Sequence, residues 1–334
     1  MKAKIPLVYI LAILIALPLV GTVAPATSLT IIQTFDFPPT LEAVNATLPQ
    51  KISDQLDLTG TVIYFSGRTR AFIYKIRIEK FSPPLHDPND TGLVTRGRGI
   101  NNLRHIVGEY LNGVDGTYHG YKLFHPDFVG FDVPDAIETM PLGTNNAGEV
   151  VGTCTFNDGT QPAFISVNQD FTIFAVPDAA ATFASQLNTA NEIIGYYLDA
   201  NNVAHGYTRD SVGNLTYPID MPGATQTALF GNNDSNWGVG RYTDESGIIH
   251  GLYFITPDDM QTFDYPGSTY TSINGINKDG FVCGFYVDDA GIGHGFVGKV
   301  DENGSSEPTT KLPMVPVAPA YQLPESSGMV MPAL

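Results

Sequence analysis

Four of the seven histidines recur at one place in a repeated pattern, and imidazole is a common metal ligand and general acid–base group. Each is followed by Gly and then by an aromatic residue or Leu. Equivalent positions around a ring of repeats lie far apart, so these imidazoles would not converge on one ion. We therefore predict a structural role, in which each imidazole bonds to a neighbouring turn. The four are His119, His205, His250 and His294.

A polar residue, usually Asn, recurs in step with these histidines. Asn side chains cap tight turns by bonding to their own backbone, so recurrence in every unit indicates a structural device. The alternative is a ring of amides that binds a ligand at the mouth of a channel. The set is Ser53, Asn101, Asn145, Asn188, Asn233 and Asn277.

Acidic turns such as Asp244-Glu245 and Asp288-Asp289 suggest calcium as a ligand, because hard cations bind clustered oxygen atoms. None has the Asp-x-Asp-x-Asp-Gly spacing of a dedicated calcium loop, so solvated turns are the preferred interpretation. No other cofactor and no metal site is predicted. The sequence has no Gly-x-Ser-x-Gly elbow, no His-Glu-x-x-His and no phosphate loop. The non-repeated cluster Arg96, Arg98, Arg104 and His105 is a candidate pocket, and solvated surface is its alternative.

An internal repeat of about 44 residues sets the elements that position these side chains. A glycine in a short strand-like segment, here called the marker glycine, recurs in six copies. Successive intervals between the copies are 48, 44, 43, 45 and 44 residues. The marker glycines are Gly60, Gly108, Gly152, Gly195, Gly240 and Gly284.

Each unit is predicted to contain four short strands, a to d, with the marker glycine in strand b and the His position in strand c. Tight turns join the strands and a Pro ends strand d. Such units predict an all-β fold, a β-propeller of six four-stranded blades over residues 31–300. Residues 35–38 are expected to supply the outer strand of the last blade and so to close the ring. Five blades plus an irregular N-terminal flap are the alternative.

Strand a lies next to the axis of such a ring, so its hydroxyl groups are predicted to make the channel suitable for a sugar. The connections at 39–51 and 85–99 are longer than the others, and neighbouring insertions on one face commonly form a binding face. The candidate ligand-binding residues are Arg96, Arg98, Thr182, Ser185, Thr225, Thr227, Thr269 and Thr271.

Residues 1–26 have the features of a signal peptide, with Lys2 and Lys4 before an apolar run and Ala24-Pro25-Ala26 after it. The protein is therefore expected to be secreted or periplasmic, without membrane insertion after cleavage; a retained anchor is the alternative. Residues 301–334 are rich in Pro and Ser and predict a disordered tail. Cys154 and Cys283 are too few for a disulfide framework and fall in opposite blades.

The net charge of −17 argues against nucleic acid and anionic membranes as partners, because binding to either requires Lys and Arg. The basic side chains are unevenly distributed: nine of the 17 lie in residues 27–110. We expect a monomer.

Residues 275–286 (GINKDGFVCGFY), followed by His294-Gly295-Phe296, resemble the HAF repeat. The pattern of that family is Gly-Ile-Asn-x-x-Gly-x-Val-Val-Gly, a turn, and His-Ala-Phe. Here Gly replaces the Ala, and Phe-Asp-Tyr-Pro-Gly takes the place of Asp-Leu-Gly. The resemblance covers residues 35–300 and implies a secreted bacterial propeller-like protein, without implying an activity.

The regular repeat, with no non-repeated catalytic constellation, favours a non-catalytic binding protein that uses one propeller face for a glycan or a protein. A hydrolase or lyase acting on polysaccharide at the channel mouth is the second hypothesis, supported by fold analogy alone. A calcium-stabilised component of an envelope or matrix is the third.

Overall fold

The structure, a computed structural model, describes residues 27–39, 42–124 and 126–301. The predicted signal peptide and residues 302–334 of the predicted tail lie outside the described residues. The described chain forms β-strands and a short 3-10 turn at Ile76–Ile78. The strands make antiparallel sheets of four, which are the blades of a β-propeller. Four single parallel bridges join neighbouring blades within the described residues: Ala46 to Gly293, Thr69 to Val94, Gln161 to Ala181 and Ile249 to Tyr270.

Each blade contains strands a to d in that order, with strand a nearest the axis. Blade 1 contains β2 (Val44–Ile52), β3 (Asp57–Tyr64), β4 (Thr69–Lys75) and β5 (Lys80–Phe81). Blade 2 contains β6 (Thr95–Ile100), β7 (Ile106–Leu111), β8 (Tyr118–Phe124) and β9 (Asp127–Phe131). Blade 3 contains β10 (Ala136–Thr144), β11 (Val150–Phe156), β12 (Ala163–Val167) and β13 (Asp170–Phe174). Blade 4 contains β14 (Ala181–Leu187), β15 (Ile193–Leu198), β16 (Ala204–Arg209) and β17 (Leu215–Ile219). Blade 5 contains β18 (Gln226–Asn232), β19 (Gly238–Thr243), β20 (Ile249–Phe254) and β21 (Met260–Phe263). Blade 6 contains β22 (Tyr270–Ile276), β23 (Phe281–Val287), β24 (Gly293–Asp301) and, as its outer strand, β1 (Ser28–Phe35).

The N-terminal strand completes the last blade, but it is Ser28–Phe35 and not residues 35–38 as predicted. The predicted segment follows the strand, and its Asp36 bonds to His294. β1 pairs antiparallel with β24, from Ser28 opposite Asp301 to Phe35 opposite Gly295. Blade 1 is complete although its outer strand, β5, has only two residues. The prediction of six blades is therefore confirmed, and the five-bladed alternative is wrong.

The marker glycines mark the place where strand b approaches strand a most closely. A Cβ added to any of them would lie 1.9 to 2.3 Å from a backbone oxygen of strand a. In strand c the residue opposite the marker glycine is aromatic in five blades, as at Phe164 opposite Gly152, and is Leu252 in blade 5. A large ring covers the space that the missing side chain leaves.

Strand a carries a β-bulge in all six blades, next to the partner of the marker glycine. In blade 4, for example, Ala184 pairs with Gly195 and Gln186 pairs with Ile194, so Ser185 is left unpaired. A bulge of this kind re-aims one side chain. The bulge residues are Gln50, Arg98, Leu142, Ser185, Phe230 and Asn274.

The junction between the last blade and the first is packed with aromatic rings. Phe35 stacks on Tyr74 with ring centroids 4.4 Å apart, and Phe37 meets Phe81 edge-on at 4.9 Å. Gln33 also donates a hydrogen bond of 2.8 Å to the Tyr74 hydroxyl. The chain before blade 1 therefore binds blade 6 by backbone pairing and blade 1 by packing.

Candidate functional site

The six bulge residues meet in the central channel. Together with neighbouring side chains they line a cavity of about 250 Å³, here called the channel cavity. Water occupies about 30 Å³ per molecule in the liquid, so the cavity has room for a small ligand. Its other lining residues are Leu48, Lys51, Tyr196, Arg241, Ser272 and Phe285.

Lys51 follows the bulge residue of blade 1 and lines the channel cavity. In four blades the residue after the bulge is Gly, because the inner strands converge there. For example, a Cβ on Gly275 would lie 2.9 Å from the Cα of Lys51. Lys51 is only 7% exposed, and its Nζ donates to the carbonyl oxygens of Phe230 at 2.9 Å and Asn274 at 3.0 Å. Burial lowers the pKa of Lys51 to about 7. Backbone carbonyls of blades 5 and 6 thus hold this amine.

Arg98 is held in the channel by a buried carboxylate. Its Nε donates to Glu109 at 3.0 and 3.1 Å and its Nη2 at 2.7 Å, while Arg96 approaches the same carboxylate at 3.4 Å. The Glu109 side chain is fully buried. Burial alone would lower the pKa of Arg98, but the charge and hydrogen bonds of Glu109 outweigh it and raise that pKa. Glu109 therefore compensates the charge of Arg98.

Arg241 lies against aromatic rings. Its guanidinium is 5.4 Å from the centroid of Phe230 and 5.7 Å from that of Tyr270, and its Nη1 donates to the Tyr270 hydroxyl. Tyr196 continues this wall, with its ring edge-on to Phe230 at 5.9 Å. One side of the channel cavity is thus an aromatic wall with a guanidinium in front of it.

Small polar groups complete the lining. Ser185 is 3% exposed, and its Oγ has no hydrogen-bond partner among the described residues. Ser272 donates to Asn274 Oδ1 at 2.7 Å, and Asn274 Nδ2 donates to the carbonyl of Pro49 at 2.8 Å. A buried hydroxyl without a partner costs free energy, so Ser185 is a group that a ligand would satisfy.

The predicted threonines do not line the channel cavity; of the predicted hydroxyl residues, Ser185 does. The prediction that the hydroxyl groups of strand a line the channel was wrong for the threonines, because the bulge turns a different residue of each strand toward the axis. Three of the hydroxyls instead accept the N–H at the start of the preceding connection: Thr182 from Val176, Thr227 from Met221 and Thr271 from Tyr265. The two others donate to carbonyls of strand b: Thr225 to Thr243 and Thr269 to Val287.

The predicted Asn series links the blades by hydrogen bonds at five of the six junctions, just beyond the ends of the a strands. In each of the five asparagines Nδ2 donates to the backbone carbonyl of the equivalent residue in the next blade, for example Asn101 to Asn145 at 3.2 Å. Oδ1 accepts two N–H groups of its own turn, as Asn101 does from Leu103 and His105. The remaining links run from Asn145 to Asn188, Asn188 to Asn233, Asn233 to Asn277 and Asn277 to Ser53. These amides are occupied by the protein itself.

The predicted histidines each lie between two aspartates, and we call these groups the His–Asp clusters. Three of them are within hydrogen-bond distance of both carboxylates, whereas His205 bonds to Asp220 and has Asp199 at 3.9 Å. In blade 5, His250 Nδ1 is 2.9 Å from Asp264 of the strand d segment, and Nε2 is 3.2 Å from Asp244 of the b–c turn. The ring also stacks on Tyr242 at 4.9 Å. Because the two carboxylates lie at opposite ring nitrogens, they do not converge on one ion. The other clusters are His119 with Asp115 and Asp132, His205 with Asp199 and Asp220, and His294 with Asp288 and Asp36.

Within the described residues, no group of three or more His, Cys, Asp or Glu side chains is arranged to hold a metal ion. Cys154 and Cys283 are both buried free thiols. In the same part of the chain, no helix is long and apolar enough to span a membrane.

The predicted arginine cluster is divided by the fold. Arg98 enters the channel cavity, whereas Arg104 pairs with Asp57 and His105 lies edge-on to Phe124. The long connection at 85–99 folds onto blade 1, where Asp90 accepts from Arg70 at 2.8 Å.

Sequence reasoning missed Lys51, Tyr196, Phe230, Arg241 and Asn274. A usable signal exists: the residue three positions before each member of the Ser53/Asn series is the bulge residue, and its type differs in all six copies. A position that varies inside a regular repeat is a candidate for ligand contact.

No family model matches the chain, and no curated protein matches it significantly. Among solved structures, AofleA from Arthrobotrys oligospora aligns with a TM-score of 0.52 and 8% identity over 83% of this chain and 88% of that chain. A mutant of the Aleuria aurantia lectin in complex with Fucα1-6GlcNAc aligns with a TM-score of 0.50 and 8% identity, over 79% and 96% of the two chains. At these identities the likeness concerns the fold, a β-propeller.

Proposed function

We propose that this protein is a secreted, non-catalytic binding protein that holds a saccharide in the channel cavity. The observation that carries the proposal is the convergence of six different bulge residues on one cavity. Amide, hydroxyl and guanidinium groups there face aromatic rings, as at Ser185, Arg241 and Phe230. Pockets with an apolar wall and a few convergent polar groups are typical ligand sites. Sugars present hydroxyls at their edges and C–H groups on their faces, which suits both surfaces.

Two further considerations support this proposal. The Aleuria aurantia lectin structure that shares the fold is a complex with a disaccharide. The signal-peptide features of residues 1–26 and the resemblance to the HAF repeat favour an extracellular or periplasmic location.

A glycan array probed with the chain from Thr27 onward tests the proposal. We expect binding to a defined subset of glycans. Ser185→Phe should abolish that binding, because a phenyl ring would occupy the channel cavity. Ser211→Phe, in an exposed turn of blade 4, is the matched control and should bind as the wild type does.

A silent array would contradict a saccharide ligand and favour a protein partner. Equal binding by both Phe variants would contradict the location in the channel. Cleavage of a bound glycan, followed by chromatography of the products, would instead support the hydrolase or lyase hypothesis.

A further inference from the structure

The channel cavity is cationic although the protein is strongly acidic. Lys51, Arg98 and Arg241 line it, and no Asp or Glu is among its described lining residues. Behind the lining, Glu109 compensates Arg98. With Lys51 protonated, three cations less one carboxylate leave a formal charge of about +2, in a chain whose net charge is −17.

Two of these cations have no carboxylate partner in the part of the chain that the structure describes. Lys51 gives two of its three N–H groups to backbone carbonyls, which leaves one donor. The described contacts of Arg241 are with the Phe230 ring and with the ring and hydroxyl of Tyr270. A buried cation without a counter-charge is unfavourable, so an anionic ligand would stabilise Lys51. Arg241 is partly exposed in the same cavity and can pair with the same ligand.

The position of the two cations suggests how such a ligand would lie. Lys51 donates to the carbonyl of Phe230, and Arg241 lies over the ring of Phe230, so both cations adjoin that residue. Ser185, almost fully buried and without a partner among the described residues, offers a hydroxyl in the same cavity. Tyr196 and Phe285 offer ring surfaces. The cavity therefore combines an anion site with a surface for a hydroxyl-bearing ring.

We propose that the channel cavity selects an acidic saccharide, of the uronic acid class, by binding its carboxylate between Lys51 and Arg241. The saccharide part of this inference rests on the proposed function, whereas the charge part rests on the cations alone. Arg98 is already paired with Glu109 and sets the local positive field.

Calorimetric titration with matched sugars tests the proposal on the unaltered protein. We compare D-glucuronate with D-glucose and D-galacturonate with D-galactose, and include acetate as a free carboxylate. A charge-assisted contact predicts at least about tenfold tighter binding of the acid in at least one pair. It also predicts weakening as sodium chloride is raised from 50 to 500 mM.

Three other outcomes of the titration would each contradict a stated part of the proposal. Equal binding of acid and neutral sugar would overturn the charge selection and leave the proposed function standing. Binding of acetate with no binding of any sugar would overturn the saccharide and the proposed function together, while the anion site would remain. No binding of acid or acetate would overturn the anion site.

Variants locate the effect. In Lys51→Met and in Arg241→Gln the preference for the acid should fall to about twofold or less, with binding of a neutral sugar retained. Arg241→Gln keeps the test open if Lys51→Met does not fold. Arg209→Gln is the matched control, because Arg209 lies over the ring of Phe174, 4.8 Å from its centroid, and does not line the channel cavity. A preference that survives both channel variants, or is lost equally in the control, would overturn the assignment.

Discussion

In each His–Asp cluster, a single imidazole ties the b–c turn of a blade to the segment that ends its outer strand. For His250, burial alone would lower the pKa, but the hydrogen bonds and charges of Asp264 and Asp244 outweigh burial and raise it. The pKa values of His119 and His294 are raised by the same balance. Blade 3 has Pro162 in place of the His and Ala175 in place of the outer Asp, so the two residues are absent together.

The charged form of His250 should stabilise the fold in a pH-dependent way. Because its folded-state pKa is raised, its contribution is complete below the ordinary His pKa of about 6.5 and is lost as pH rises through the folded pKa. We expect His250→Phe, which keeps a ring against Tyr242, to lose about 1 kcal/mol of unfolding free energy at pH 5.5 and little at pH 9. Urea denaturation of both proteins across this range measures the difference.

His105 is a control for which we expect the opposite pH dependence of stability. Burial lowers its pKa, so the neutral imidazole is favoured in the folded protein. The wild type should therefore gain stability relative to His105→Phe as pH rises towards 6.5. A difference for His250→Phe that does not change with pH would show that folding does not raise the pKa of this imidazole.

Among the elements, strand a determines what the channel can bind. Its bulge turns one residue per blade toward the axis, and the marker glycine of strand b lies opposite the residue before that bulge, as at Gly195 and Ala184. The bulge residue itself is free of the repeat constraint, which explains why Gln50, Arg98 and Leu142 can differ at equivalent positions. The regular part of strand a pairs with strand b, and its bulge residue supplies a side chain to the channel cavity.

Replacing a marker glycine tests the closeness of strands a and b. A Cβ on Gly195 would lie 2.1 Å from the carbonyl oxygen of Phe183, which is backbone and cannot rotate away. We expect Gly195→Ala to cost about 3 kcal/mol of unfolding free energy, measured by chemical denaturation. Gly130→Ala in the outer strand β9 is the control, since its nearest neighbour would be 3.9 Å away. Equal effects of the two substitutions would contradict this explanation.

The sequence was sufficient to predict the blades but not the site. The regular spacing of the marker glycines from Gly108 to Gly284 can be read from the sequence. The turns that Asn145 and its equivalents cap can be read from it as well. The bulge is not visible as a residue type, so selecting the hydroxyl residues of strand a placed Thr182 in the channel and overlooked Phe230. Lys51 was missed because it interrupts a glycine position in a weak first copy of the repeat.

For the whole molecule, ring closure depends on residues far apart in sequence. β1 supplies the outer strand of blade 6, and Asp36, which follows it, bonds to His294 at 2.8 Å. Lys51 of blade 1 reaches carbonyls in blades 5 and 6, and Asn277 reaches the carbonyl of Ser53. The junction between the first and last blades is therefore held at its outer edge, at the channel and at the turns of the Ser53/Asn series.

Removing β1 should open this junction at its outer edge. A chain that begins at residue 42 would lose the burial of Phe35 and Phe37, each worth about 1.5–3 kcal/mol, and would leave the edge of β24 unpaired. We expect a loss of about 5 kcal/mol in unfolding free energy and concentration-dependent association through the free edge, measured by denaturation and by light scattering. A chain that begins at Thr27 keeps β1 and is the control. If the shorter chain unfolds at the same midpoint and stays monomeric, closure depends on the channel and turn contacts alone.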